Sequence, residues 1–180
     1  MRGWLLDTNV VSELRKPKPA ALVAEFVTTQ PGELLFTTEV TFGEIRFGIE
    51  QLEDAGRRAD IHLWLDRVLR PLFANRVFAI NEEVIVRWKA MVVEGQKRGY
   101  TFGQPDLFIA AIAALEDLVV VTRDIGEFAA AGVPVFDPWT STLHAHGKGT
   151  PIPTPASAEA VGEILRKMVS DLENLGPRRR

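Results

Sequence analysis

Leu118-Val119-Val120-Val121-Thr122-Arg123-Asp124 is the stretch that decides how this 180-residue chain is read. Leu118 to Thr122 is the strongest strand signal in the sequence, and an aspartate follows it. The same pattern opens the chain, where Gly3-Trp4-Leu5-Leu6 reads as a first strand ended by Asp7. Leu34 to Thr37, Val77 to Ile80 and Val133 to Phe136 read as further short strands, the third of them the last. Helices are expected between them. One runs near Thr8 to Leu14. A second starts at Pro19, with Leu22, Val23, Phe26 and Val27 on one face. Thr38 to Leu52 carries Phe42, Ile45, Ile49 and Leu52 at helical spacing, and Asp60 to Leu72 turns Ile61, Trp64, Leu65, Val68 and Leu69 inward. Asn81 caps a helix running to about Arg98, and Pro105 starts another through Glu116. This alternation predicts an α/β fold: a mostly parallel sheet with helices on both faces.

Composition narrows the class. There is no cysteine, so no disulfide framework or thiolate metal site, which fits a reducing cytoplasm. Met1 to Asp7 is too short and too soon charged for a signal peptide. The longest apolar run, Leu107 to Leu115, falls far short of the ~20 residues of a membrane span, so no membrane partner is expected. Net charge is −3, an awkward balance for a binder of nucleic acid, whose phosphates call for Lys and Arg.

Residues 1–143 read as one domain. Residues 144–156, rich in Gly, Pro and Thr with prolines at 151, 153 and 155, read as an extended linker. Residues 157–180 read as an amphipathic helix capped by Ser157. Its stripe is Val161, Ile164, Leu165, Met168, Leu172 and Leu175, and a basic Arg178 to Arg180 end follows Gly176-Pro177. That stripe calls for a protein surface: this chain's own, a second copy's, or the groove that a partner fills.

Four carboxylates carry the functional argument: Asp7, Glu44, Asp106 and Asp124. Asp7 and Asp124 fall at strand ends, where open α/β sheets collect their ligands, and converge if their strands are neighbours. Glu44 shares a helix stripe with Val40 and Phe47. Asp106 lies in a first turn on a stripe continued by Ile109, Ala110 and Ala113, so it points inward, with the helix dipole favouring its charge by about 0.3–1 kcal/mol. Buried acids need a cation, donors or a raised pKa, and an oxygen-only set points to Mg²⁺ or Mn²⁺. Each acid also has a plainer reading, Asp7 as a helix cap and Asp124 as part of a turn with Gly126. Thr8, Asn9 and Thr122 are candidates to hold the acids by hydrogen bonds, and Arg46, Lys16, Lys18, Lys97 and Arg98 are candidate phosphate contacts. Tyr100 and Phe102 can stack bases or pack. With only His62 before residue 144, histidine acid–base chemistry is disfavoured; His144 and His146 form a His-x-His pair in the expected linker. Asp7-Thr8-Asn9 lacks the second aspartate of an aspartyl-phosphate loop, and no phosphate-cradling glycine loop is present.

Read together, Leu5 to Glu13, Thr41 to Ile49, Asp106 to Ala111, Val121 to Asp124 and Val133 to Trp139 resemble the PIN-domain family, in particular its VapC-like toxins. The resemblance covers residues 1–143. It implies a three-layer α/β/α sandwich and a Mg²⁺- or Mn²⁺-dependent endoribonuclease, the toxin of a type II toxin–antitoxin pair. It places catalysis and metal on Asp7, Glu44, Asp106 and Asp124, with Asp7 and Asp106 as direct ligands. It implies a homodimer, RNA as substrate and a cognate antitoxin that alone touches DNA. Phe102-Gly103-Gln104-Pro105 departs from the family by lacking small hydroxyl residues before Asp106, and the segment after Leu143 has no counterpart in the typical toxin. The competing readings are a non-catalytic PIN-like binding module and a metal-dependent phosphomonoesterase.

Overall fold

The computed structural model describes residues 1–174, so Leu175 and the Gly176 to Arg180 end lie outside the described residues. The chain runs β1 (Gly3–Leu6), α1 (Thr8–Leu14), α2 (Ala21–Thr29), β2 (Leu35–Thr38) and α3 (Glu39–Glu50). It continues with α4 (Ala55–Trp64), a π-helical turn (Leu65–Leu69), α5 (Arg70–Leu72), β3 (Val77–Phe78), α6 (Glu82–Lys97), α7 (Gln104–Leu115) and β4 (Leu118–Val121). The last third holds α8 (Ile125–Ala130), β5 (Val135–Asp137), β6 (Thr142–Ala145), β7 (Lys148–Pro151) and α9 (Ala158–Asn174).

The strands form one sheet in the order β3-β2-β1-β4-β5-β6-β7. The first five are parallel and the last two antiparallel. Side chains alternate across it. Trp4, Leu6, Val119 and Val121 enter a core with α1, α2, α3 and α4, while Leu5, Val120 and Val135 enter a second core with α6, α7 and α8. Burial on both faces explains why β1 and β4 read as unbroken apolar runs. The result is the expected three-layer sandwich. Thr38, Asp54 and Asn81 cap α3, α4 and α6 through their side chains, which is why those helices start where they do.

Three expectations are corrected. Residues 144–156 are not an extended linker: β6 and β7 make a hairpin that continues the sheet from β5, so a boundary at residue 143 falls inside a strand and β5 is not the last one. Its turn places His146 (φ 50°) and Gly147 (φ 73°) in the left-handed region that a two-residue hairpin requires. Val68 faces solvent at 53% exposure while Leu69 is 3% exposed, because the π-helical turn shifts the stripe set by Ile61 and Leu65. A helix, α8, fills the stretch after Asp124, where only a turn was anticipated. In α9, the Ser157 hydroxyl accepts the Ala160 amide (3.2 Å), and Val161, Ile164 and Leu165 pack on this chain's own core.

Candidate active site

Register brings the strand-end acids together. Leu6 pairs with Val121 across β1 and β4, and the Asp7 amide donates to the Val121 carbonyl (3.1 Å). Asp7 and Thr122 therefore leave the sheet side by side at its carboxyl end, from the adjacent strands β1 and β4, where ligands gather in such sheets.

Asp7 is 4% exposed and held by three donors: the Thr8 amide (2.7 Å), the Thr122 hydroxyl (2.7 Å) and the Asn9 side-chain amide (3.0 Å). It caps α1 and belongs to the acid cluster at once, so the two readings of this residue coexist. The Asn9 nitrogen also lies 2.6 Å from the Thr122 hydroxyl oxygen and 3.1 Å from the Asp124 carboxylate. Asp124 stands at the N-cap of α8 without a capping hydrogen bond and is exposed at the edge of the cluster. The Thr8 hydroxyl donates to Glu44 from across the α1–α3 contact. Glu44 is half-buried at the border of α3, whose stripe then runs out to solvent at Phe47 (67% exposed). Thr8, Asn9 and Thr122 thus serve the acids as the sequence suggested.

Electrostatics marks two of the four. Burial, the largest effect, pushes Asp7 up to about 6 despite the Thr122 and Thr8 hydrogen bonds, with Glu44 and Asp124 adding repulsion. Asp106, half-buried in the first turn of α7, is pushed up to about 7 by burial and then by Asp7, Glu127, Glu44 and Asp124. These effects outweigh the helix dipole expected to hold it down. Among the described residues no lysine, arginine or histidine pairs with any of the four acids. Nor do the acids already form a finished coordination shell among the described residues. The donor set still fits a hard divalent cation: the four acids offer carboxylate oxygens alone, and the Asn9 side-chain oxygen is buried without a hydrogen-bond partner.

The PIN-domain family model matches residues 4–133. The chain belongs to the PIN-domain family. The plasmid stability protein StbB of Pseudomonas syringae pv. tomato is 36% identical over 75% of this chain and 97% of its own length. The VapC ribonuclease Y4jK of Sinorhizobium fredii is 32% identical over 75% of this chain and 96% of its own length. The crystal structure of FitAcB from Neisseria gonorrhoeae superposes with a TM-score of 0.72 at 34% identity, covering 76% of this chain and 98% of that one. The family match ends before the β6–β7 hairpin, so the hairpin and α9 are added to the shared PIN domain.

The other candidates divide. Lys16 pairs with Glu13 (2.6 Å), and Arg98 binds the Ala130 carbonyl (2.9 Å), so both have structural work. Phe102 packs against Tyr100 and fills the space left by Gly95, where a Cβ would collide with its ring. Arg46 is exposed. Sequence reading missed Glu127, which acts on Asp106 from α8; the six residues of that helix are too few to give it a distinguishing pattern. It also missed a cleft of about 210 Å³ that leads from Thr8 and Glu44 past Arg15 and Arg57 to Trp64.

Proposed function

We propose that this PIN domain is a divalent-metal-dependent endoribonuclease, the toxin of a type II toxin–antitoxin pair, acting in the cytoplasm. The observation that carries the reading is Asp7 and Asp106: both are raised chiefly by burial, Asp7 further by Glu44 and Asp124 and Asp106 further by Asp7, with no cation paired to either among the described residues. The names of the similar proteins, a VapC ribonuclease and a plasmid stability protein, support the same conclusion.

Asp7 and Asp106 would hold Mg²⁺ or Mn²⁺, with Glu44 and Asp124 completing the set directly or through water. When bound, the ion supplies Lewis acidity and a water of lowered pKa for phosphodiester hydrolysis. The chain supplies the rest. Thr122, Thr8 and Asn9 fix the Asp7 carboxylate, and Asn9 ties it to Asp124. Thr8 holds Glu44 toward the same point. Arg15 and Arg57 in the adjoining cleft suit the phosphates on one side of the scissile bond. The partners that follow are RNA as substrate, a second copy of the chain, and a cognate antitoxin through which any DNA contact is made; the similar FitAB structure, 32% identical to this chain, is bound to a DNA fragment.

The test is purified protein, with and without Mg²⁺, given a structured RNA and a phosphomonoester, with Asp7→Asn as control. Metal-dependent RNA cleavage that the variant lacks is expected. Cleavage unchanged in Asp7→Asn, or turnover of the monoester alone, overturns the proposal.

A further inference from the structure

Gly103 stands three residues before Asp106, where a side chain would displace the tip of Glu127. A Cβ there would lie 2.9 Å from both carboxylate oxygens of Glu127. Its backbone (φ −67°, ψ 142°) is open to any residue, so what a side chain there would disturb is the seat of Glu127. The Gly103 amide donates to one of those oxygens at 3.0 Å. Gly103 is the N-cap of α7 and offers no side chain to the amides of the helix start. Glu127 reaches in from the first turn of α8, the helix that opens at Asp124. One carboxylate therefore ties the start of the helix bearing Asp106 to the start of the helix following Asp124.

Resting on the metal-dependent reading above, we infer that Glu127 is a positioning residue: its bond to the Gly103 amide sets the first turn of α7 and so the height of Asp106 opposite Asp7. A helix start with no side-chain cap is free to fray, and a ligand on its first turn moves with it. Cross-helix anchoring removes that freedom at the one place where α7 carries chemistry. Outer groups of this kind orient the ligands that touch the ion. A neutral acceptor would hold the amide equally well without repelling Asp106. A carboxylate in its place is consistent with a site whose excess negative charge is offset by a cation. The same contact gives Gly103 a part in the stretch that departs from the family pattern: Glu127 supplies an oxygen at the helix start, and a side chain at position 103 would push that carboxylate off the amide.

The experiment uses the full chain, stripped of metal, with Mg²⁺ binding followed by titration calorimetry and amide hydrogen exchange followed across residues 103–107. Glu127→Ala removes the acceptor, Gly103→Ala displaces it, and Glu127→Gln keeps it without the charge. Glu127→Ala and Gly103→Ala are expected to weaken Mg²⁺ binding by about 10-fold or more and to speed exchange in metal-free protein, while Glu127→Gln stays within about threefold of the parent. In RNA cleavage the two damaging variants lower kcat with KM little changed. The inference is overturned if both alanine variants match the parent in affinity and exchange. It is also overturned if Glu127→Gln falls as far as Glu127→Ala with exchange unaltered, since Glu127 would then act by its charge alone. If the parent binds no metal and cuts no RNA, the nuclease reading fails, and exchange in Glu127→Ala still decides whether the anchor exists.

Discussion

Asp7 and Glu13 are buried carboxylates at opposite ends of one short helix, α1, and their surroundings differ completely. Glu13 takes the Lys16 ammonium at 2.6 Å and the Ala20 amide at 2.9 Å, and these hold it below the usual carboxylate range. Asp7 is pushed up to about 6, first by burial, with only neutral donors to oppose it and with Glu44 and Asp124 adding repulsion. Glu13 is complete within the chain, because its counterion is three residues away. Asp7 is satisfied in hydrogen bonds but not in charge. The pair contrasts an acid whose charge the fold itself completes with one whose charge the fold leaves open, although both show little surface to solvent.

The sharpest way to break this comparison is to neutralise each acid. Asp7→Asn is expected to lower RNA cleavage by more than about 100-fold. At pH 8 without metal it should nevertheless stabilise the fold, by at most about 3 kcal/mol given about 1.4 kcal/mol per pKa unit. Glu13→Gln should do the reverse, lowering the melting temperature while folded molecules cleave at the parent rate. Denaturation and cleavage assays on the two proteins decide it.

A second effect is the pH dependence of the metal-free protein. Asp7 and Asp106 keep protons in the folded chain at a pH where the unfolded chain has lost them. Their contribution is complete below about pH 4 and declines as pH rises through about 6 and about 7. Melting temperature should therefore fall across that window, and saturating Mg²⁺ should remove the decline. Asp7→Asn combined with Asp106→Asn should flatten the curve without metal. A smaller change is expected from Thr122→Val, which deletes the 2.7 Å hydrogen bond to Asp7: cleavage should drop by roughly 10-fold, and more Mg²⁺ should be needed for half-maximal rate. The smallest is Lys16→Ala, which takes the counterion from Glu13. That carboxylate should titrate higher by NMR and stability near neutral pH should fall slightly, with cleavage unchanged.

The acids were legible in sequence because a charged residue interrupts an apolar pattern: after β1 and β4 at Asp7 and Asp124, and on helix stripes at Glu44 and Asp106. Their meeting was not, since the pairing of Leu6 with Val121 joins segments over a hundred residues apart. Local composition misled at the hairpin. Glycine, proline and threonine suggested a linker, while the deciding features were Leu143 and Ala145 alternating inward and a two-residue turn at His146-Gly147. Val68 was misplaced because an extra residue in a helical turn leaves no mark in spacing. Glu127 was invisible for a different reason: its role depends on an amide 24 residues earlier in the chain.

The hairpin also changes what the molecule shows to its neighbours. Without it, β5 would leave the polar backbone of Val135 and Phe136 bare along the sheet's rim, an invitation to intermolecular zippering. With it, the rim is β7, Lys148-Gly149-Thr150-Pro151, where a solvated ammonium and a residue lacking an amide proton make poor templates for an incoming strand. Crowded solutions of this protein gain a blunt margin on that flank, and fibril-like stacking through it is disfavoured.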